Sequence, residues 1–232
     1  MKRIIWGSMT LLGILVHSIG LSQTLSIGAG GGSVFVLKSS YYTDPIGYPG
    51  IHYVNGVQSM YAGQNLGTAF QLAAIAELRF AEFPATVSVG VDYAFLRGHG
   101  NTVSFYPAPS TQSYPVKATT KVDLLSFSFG TTLHLIKGPI SPFLVMNVQL
   151  NHFSESSVRL DEPGWWSEAK TLDSYNRLGL GIGSGVDFSL LPGTTTRVTT
   201  VYNIYNVSGR NTGEAQMKSI GITAFVLYDF SL

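Results

Sequence analysis

Two groups of residues in this chain have the types and spacing to do chemistry. The first is His152-Phe-Ser154. A serine hydroxyl becomes a nucleophile only beside a base, and the base needs a third group to orient it. Glu155, Glu162 and Glu168 follow along the chain as candidate orienting acids. The second group is dispersed: Glu77, Arg79, Asp92, His134, Arg177, Asp187, Arg197 and Asp229. Each occupies the polar phase of a run whose alternate residues are apolar. Glu77, for example, sits among Leu72, Ala74, Ala76, Leu78 and Phe80. Charges of both signs held away from water must pair, so these eight are predicted to form a network. Other motifs read more simply. Gly28 to Ser33 (GAGGGS) has no helix after it, so it is a glycine-rich strand rather than a dinucleotide loop. Asp161, Glu162 and Glu168 match no calcium-loop spacing, and no Cys/His cluster points to zinc. The chain implies no cofactor and no metal.

The elements that position these residues follow from composition and period. The chain has 232 residues, 45% hydrophobic but only 12% charged, against ~25% charged in soluble domains. Even so, no run of about 18 apolar residues occurs after residue 20, so membrane-spanning helices are excluded and the apolar residues are interleaved with polar ones. Residues 1–22 read as a secretory signal: Lys2 and Arg3, an apolar stretch from Ile4 to Ile19, then a small-x-small site at Gly20-Leu-Ser22. Taking Lys2 and Arg3 from the 14 basic residues leaves 12 against 13 acidic, a charge near −1 that gives no footprint for nucleic acid. Cysteine is absent, which removes disulfides and thiolate chemistry.

Eight segments show period-2 patterning between turn residues. They run from about Leu25 to Leu37, Asn65 to Phe80, Ala85 to Arg97, Lys121 to Ile136, Ser141 to Phe153, Ser174 to Leu190, Thr195 to Tyr205 and Lys218 to Leu232. In the last, Ile220, Ile222, Ala224, Val226, Tyr228, Phe230 and Leu232 share one face; small, polar or inward residues share the other. A strand with lipid on one side cannot leave its edges unpaired in hydrocarbon, so the segments must close a barrel. The connections alternate. Ala81 to Pro84, Lys137 to Ile140 and Leu191 to Thr194 are short; Lys38 to Gln64, Gly98 to Thr120, Ser154 to Asp173 and Asn206 to Met217 are long. Short periplasmic turns and long outer loops are the pattern of outer-membrane barrels. The fold class is therefore all-β: an eight-stranded antiparallel up-and-down transmembrane barrel spanning residues 23–232.

On this pattern the chain resembles the small OmpA/OmpX-like outer-membrane β-barrel group, and in style the "porin family" outer-membrane barrel domains of Bacteroidetes-like bacteria. The resemblance implies a Gram-negative outer membrane, the lipid bilayer as surroundings and the barrel assembly machinery as a partner. It gives Tyr228, Phe230 and Leu232 the role of an assembly signal, with Leu in place of a final Phe. It also carries the His152/Ser154 question. Lipid A deacylases are similar small barrels with a His-x-Ser pair on the lipid-facing wall. Their motif continues with Asn where this chain has Glu155, and no Glu sits on a neighbouring strand facing His152. The pair therefore reads as polar residues at the membrane interface, and the protein as non-enzymatic.

Aromatic girdles are expected from Phe80, Phe83, Phe143, Tyr228 and Phe230 at the periplasmic rim, and from Tyr93, Phe95, Phe153, Tyr175 and Tyr202 at the outer rim. Trp165 and Trp166 are a possible loop contact or an interfacial anchor. An eight-stranded barrel is narrow enough for side chains to fill it. Glu77, Arg79, His134, Asp187 and Asp229 end descending segments and Arg197 begins an ascending one, so these six are expected to cluster in the periplasmic half of the lumen and plug it there. The inner glycines of the first and sixth segments either make room for long side chains opposite or only permit close strand packing. The expected role is structural or surface-exposed with a plugged lumen. A narrow channel for small or apolar solutes is the alternative, and no residue pattern names a partner for the outer loops.

Overall fold

The computed structural model describes residues 23–37, 51–54, 57–62, 68–80, 83–107, 114–154, 156–160, 169–172, 174–209 and 216–231. The leader, Trp165, Trp166, Glu155, Glu162, Glu168 and Leu232 lie outside them. Among the described residues twelve strands are present: β1 (Gln23–Val36), β2 (Ile51–Val54), β3 (Val57–Ala62), β4 (Thr68–Phe80), β5 (Ala85–Pro107), β6 (Tyr114–His134), β7 (Ile140–Phe153), β8 (Ser156–Leu160), β9 (Ala169–Leu172), β10 (Tyr175–Leu191), β11 (Thr194–Ser208) and β12 (Lys218–Ser231). Eight of them, β1, β4, β5, β6, β7, β10, β11 and β12, pair in a ring that β5 and β6 close. Every pairing in that ring is antiparallel.

The alternation in the sequence becomes two faces. Outward stand Phe129 and Val148, 62% and 53% exposed, with Leu72, Phe127, Leu144, Met146, Leu150, Leu180, Ile182, Ile222 and Val226 in the same belt. Exposed apolar side chains in a continuous ring suit hydrocarbon and no aqueous surface. Inward stand Ser26, Glu77, Ser88, Ser126, Thr132, Gln149, Asn151, Asp187, Arg197, Thr199 and Thr223, all buried. Closure leaves no free sheet edge in the wall, which is what permits strands in lipid.

Of the expected short turns, Leu191 to Thr194 is present as read, the one before β7 begins earlier, after His134, and Ala81 and Glu82 of the first lie outside the described residues. Between β10 and β11, Pro192 and Gly193 make the tightest; Gly193 takes φ +71°, which Pro-Gly supplies at no steric cost. The long connections differ from expectation. The sequence predicts a loop over Gly98 to Thr120, yet β5 continues to Pro107 and β6 begins at Tyr114. Their register slips between Gly98 and Asn101 and then resumes to Phe105↔Tyr114. Above that slip β5 pairs with β3 instead of β4, and β6 pairs with β8 instead of β7. Strands β2 and β9 complete a six-stranded crown on the long-connection end of the barrel. Once the wall strands have left the membrane their hydrogen bonds still need partners, and the long connections provide them.

Candidate functional site

The lumen is filled in layers. At the short-turn end Arg197, from the start of β11, donates from Nε and Nη2 to the two carboxylate oxygens of Asp187 on β10, at 2.6 and 2.8 Å. Its Nη1 donates to Glu77 on β4. Its guanidinium lies 4.7 Å from the ring centroid of Phe143 on β7. Arg79 stands 3.4 Å from Glu77, 3.7 Å from Asp187 and 3.9 Å from Asp229. His134 Nε2 is 3.1 Å from Asp187 Oδ2. Asp229 accepts from Ser26 Oγ at 2.5 Å and from Thr195 Oγ1 at 3.3 Å. Arg197 and Glu77 are each 1% exposed. Two guanidiniums thus meet three carboxylates, and His134 adds the third positive charge when protonated. The bidentate fork on Asp187 is the strong, geometry-fixing kind of ion pair.

Six of the eight sequence-predicted charges, Glu77, Arg79, His134, Asp187, Arg197 and Asp229, are brought together. Asp92 and Arg177 are not. Asp92 pairs across to Ala73 on β4, four residues from the Ser88↔Glu77 level, or about 13 Å along the strand. Arg177 lies at the level of Asn151. It donates to Asn176 O at 2.8 Å and sits 4.4 Å from the Tyr175 ring centroid. Both belong to the lumen, but at other depths; strand direction had placed only the other six at the short-turn end.

Above the network, Phe225 and Leu227 on β12 turn over the glycines of β1. A Cβ on Gly28 would lie 2.5 Å from Val226 O and 2.8 Å from Leu227 Cδ2, and one on Gly30 would strike Ala224 O and lie 2.8 Å from Phe225 Cδ1, so close strand approach and room for a side chain both call for glycine there. On β10 the inner glycines face amides instead. A Cβ on Gly181 would strike Asn147 Oδ1, and one on Gly179 would strike Asn151 Nδ2. Here the glycines make room for side chains. At Gly32 and Gly183 the same Cβ would strike neighbouring backbone oxygens, so close strand approach is the reason there. Between these layers lies a cavity of about 90 Å³.

The long-connection end of the lumen holds an apolar cluster, which alternation alone did not announce. Val34, Ala69, Ala94, Leu96, Val122, Leu124, Phe153 and Tyr205 form one buried cluster, with Tyr175 and Met217 packed against it. Phe153 stacks on Tyr175 at 4.8 Å and meets Tyr205 edge-on at 6.5 Å. Three aromatics expected in girdles are therefore inside. Phe143 caps the charge network, while Phe153 and Tyr175 pack in the cluster at the long-connection end. Their strand phase carried the signal, because Phe143, Phe153 and Tyr175 share parity with the inward Asn147, Asn151 and Arg177. Tyr228 and Phe230 do face outward at the short-turn rim.

His152 Nδ1 is 2.8 Å from the Asn176 amide oxygen. Ser154 Oγ accepts from the Asp123 backbone N–H at 2.9 Å. Thus an amide orients the imidazole, and the serine hydroxyl ties the end of β7 to β6. Asp123 also pairs with Arg97 at 2.7 Å, as an outward-facing ion pair where the wall ends. These are interface and strand-end bonds.

No family model matches the chain, and no curated protein matches it. Solved structures do. A major outer membrane protein from Thermus thermophilus aligns over 90% of this chain and 99% of its own, with TM-score 0.55 and 17% identity. The outer membrane protein OprG from Pseudomonas aeruginosa aligns over 90% and 97%, with TM-score 0.50 and 12% identity. Identities this low show the fold alone. That fold, with the apolar belt of this chain around it, makes the molecule an integral β-barrel of the bacterial outer membrane.

Proposed function

We propose that this protein is a non-enzymatic surface barrel: a sealed, membrane-anchored cylinder that holds a β-sheet crown outside the cell. The observation that carries the reading is the double filling of the lumen. A charge network occupies one end and an aromatic-aliphatic cluster the other, each drawing side chains from most of the wall strands. A barrel filled at two levels has no continuous path for solute, so its crown is the part left to act. The alternation of short and long connections, and the outward aromatics Tyr228 and Phe230 on the last strand, support a likeness in style to porin-family barrels of Bacteroidetes-like bacteria. The same aromatics, with Leu232, serve in this reading as the signal for the barrel assembly machinery.

The test uses the absence of native cysteine. Single variants Asn101→Cys, in the crown, and Gly138→Cys, in a short turn, are expressed in the outer membrane of a Gram-negative host. A membrane-impermeant maleimide is then added to intact cells. The expected result is labelling at 101 and protection at 138 until the envelope is opened. Labelling at 138 with protection at 101 overturns the orientation, and with it the surface role.

A further inference from the structure

Above the charge network the lumen holds one more carboxylate, in different surroundings. Asp92 projects from β5 where Ala73 and Ser126 are its strand neighbours. Its Oδ1 accepts from Gln71 Nε2 at 2.9 Å, and the same nitrogen reaches Thr223 Oγ1 at 3.2 Å. Among the described residues, no arginine, lysine or histidine lies within ion-pair distance of Asp92. The carboxylates below it each face at least one guanidinium. An ionised group at membrane depth is costly unless something answers its charge, and for that reason marks a function.

The cavity of about 90 Å³ opens beside it. Asp92 and Gln149 both line that space. Gln149 is 5% exposed, and its Nε2 donates to Asn147 Oδ1 at 2.9 Å and Asn203 Oδ1 at 2.8 Å. Its Oε1 is left buried without a hydrogen-bond partner. Asn147 and Asn203 line the same space, each with a lone pair to spare. The cavity therefore presents a carboxylate, an orphaned amide oxygen and two further amide oxygens. Carboxylates, amide carbonyls and water are the ligands of hard cations. One carboxylate balances one positive charge, and the volume admits an ion with a few waters, at roughly 10–15 Å³ each.

We propose that this cavity binds a single monovalent alkali cation, held by Asp92 and the amide oxygen of Gln149, as an electrostatic staple in the middle of the barrel. The site requires only the filled lumen and stands whether or not the barrel conducts. Equilibrium unfolding in urea tests it, with the protein refolded in zwitterionic vesicles. Sodium chloride is compared with N-methyl-D-glucamine chloride at equal ionic strength. At sodium ten times the half-saturating concentration, the folded-to-unfolded ratio rises about elevenfold over the organic cation. The rise disappears in Asp92→Asn and shrinks in Gln149→Met, and it persists in Asp229→Asn. Equal stability in the two salts overturns the proposal and assigns Asp92 a proton instead. A response to calcium but not sodium overturns the monovalent assignment. A sodium response unchanged in Asp92→Asn overturns the site.

Discussion

Replacing Arg197 with Met examines the floor of the barrel most sharply. The change keeps much of the side-chain volume against Phe143 but removes the guanidinium that bonds Asp187 twice and Glu77 once. Two carboxylates are then left where Glu77 and Asp187 are 1% and 2% exposed. Removing one partner of a buried ion pair costs about 3–5 kcal/mol, mostly as the penalty on the charge left behind. Arg79 tempers this. It already stands 3.4 Å from Glu77 and 3.7 Å from Asp187, and it is closer to water than Arg197, so it can swing toward one of them. The lower end, about 3 kcal/mol, is the expected loss. At a urea slope of about 2 kcal/mol per molar, the midpoint falls by roughly 1.5 M. Unfolding in phospholipid vesicles, followed by far-UV circular dichroism and by heat-modifiable gel migration, measures it. Adding Glu77→Gln to Arg197→Met removes one orphaned charge and restores part of the loss. A fall under about 0.5 M, or a double variant less stable than the single one, would refute the reasoning.

Three further outcomes follow from the same structure. Val148→Arg puts a charge into mid-belt lipid and lowers stability by about 2–4 kcal/mol, whereas Ile140→Arg at the short-turn rim costs about 0–1 kcal/mol; the two are compared by vesicle unfolding. Gly185→Ala drives a Cβ into both Phe143 Cζ and Val198 O, so overpacking of about 1–3 kcal/mol is expected in the same assay. Phe153→Ala opens the outer plug between Tyr175 and Tyr205 and lowers stability by about 3–5 kcal/mol, with no effect on the labelling pattern of intact cells.

The wall of the barrel was legible because lipid imposes a strict period. Ile220, Ile222, Ala224, Val226, Tyr228 and Phe230 could face only one way once their strand was placed in hydrocarbon. The charge network was legible in membership, and strand direction placed six of its members at the short-turn end, where the structure joins them. Glu77 and Arg197 lie on strands far apart in sequence, and the up-and-down order of the strands brings them to one end while leaving Asp92 and Arg177 higher. The apolar outer plug escaped. Leu96, Val122 and Leu124 occupy the inward phase, yet an apolar residue there breaks the rule that inside means polar. The rule fails where eight strands lie close enough for side chains to fill the bore. The crown escaped because Gly98 to Thr120 has turn-like composition with no lipid to enforce alternation. Its strands are held by backbone pairing with β3 and β8, which no local pattern records.

Electrical conductance bears most directly on the sealed bore. The refolded protein is inserted into a planar lipid bilayer in about 1 M potassium chloride, where the screening length is only about 3 Å, beside an Arg197→Ala/Phe153→Ala variant opened at both ends. The native barrel should give a baseline no different from protein-free lipid, while the doubly opened variant gives discrete steps. Steps of a defined size from the native protein would contradict the account.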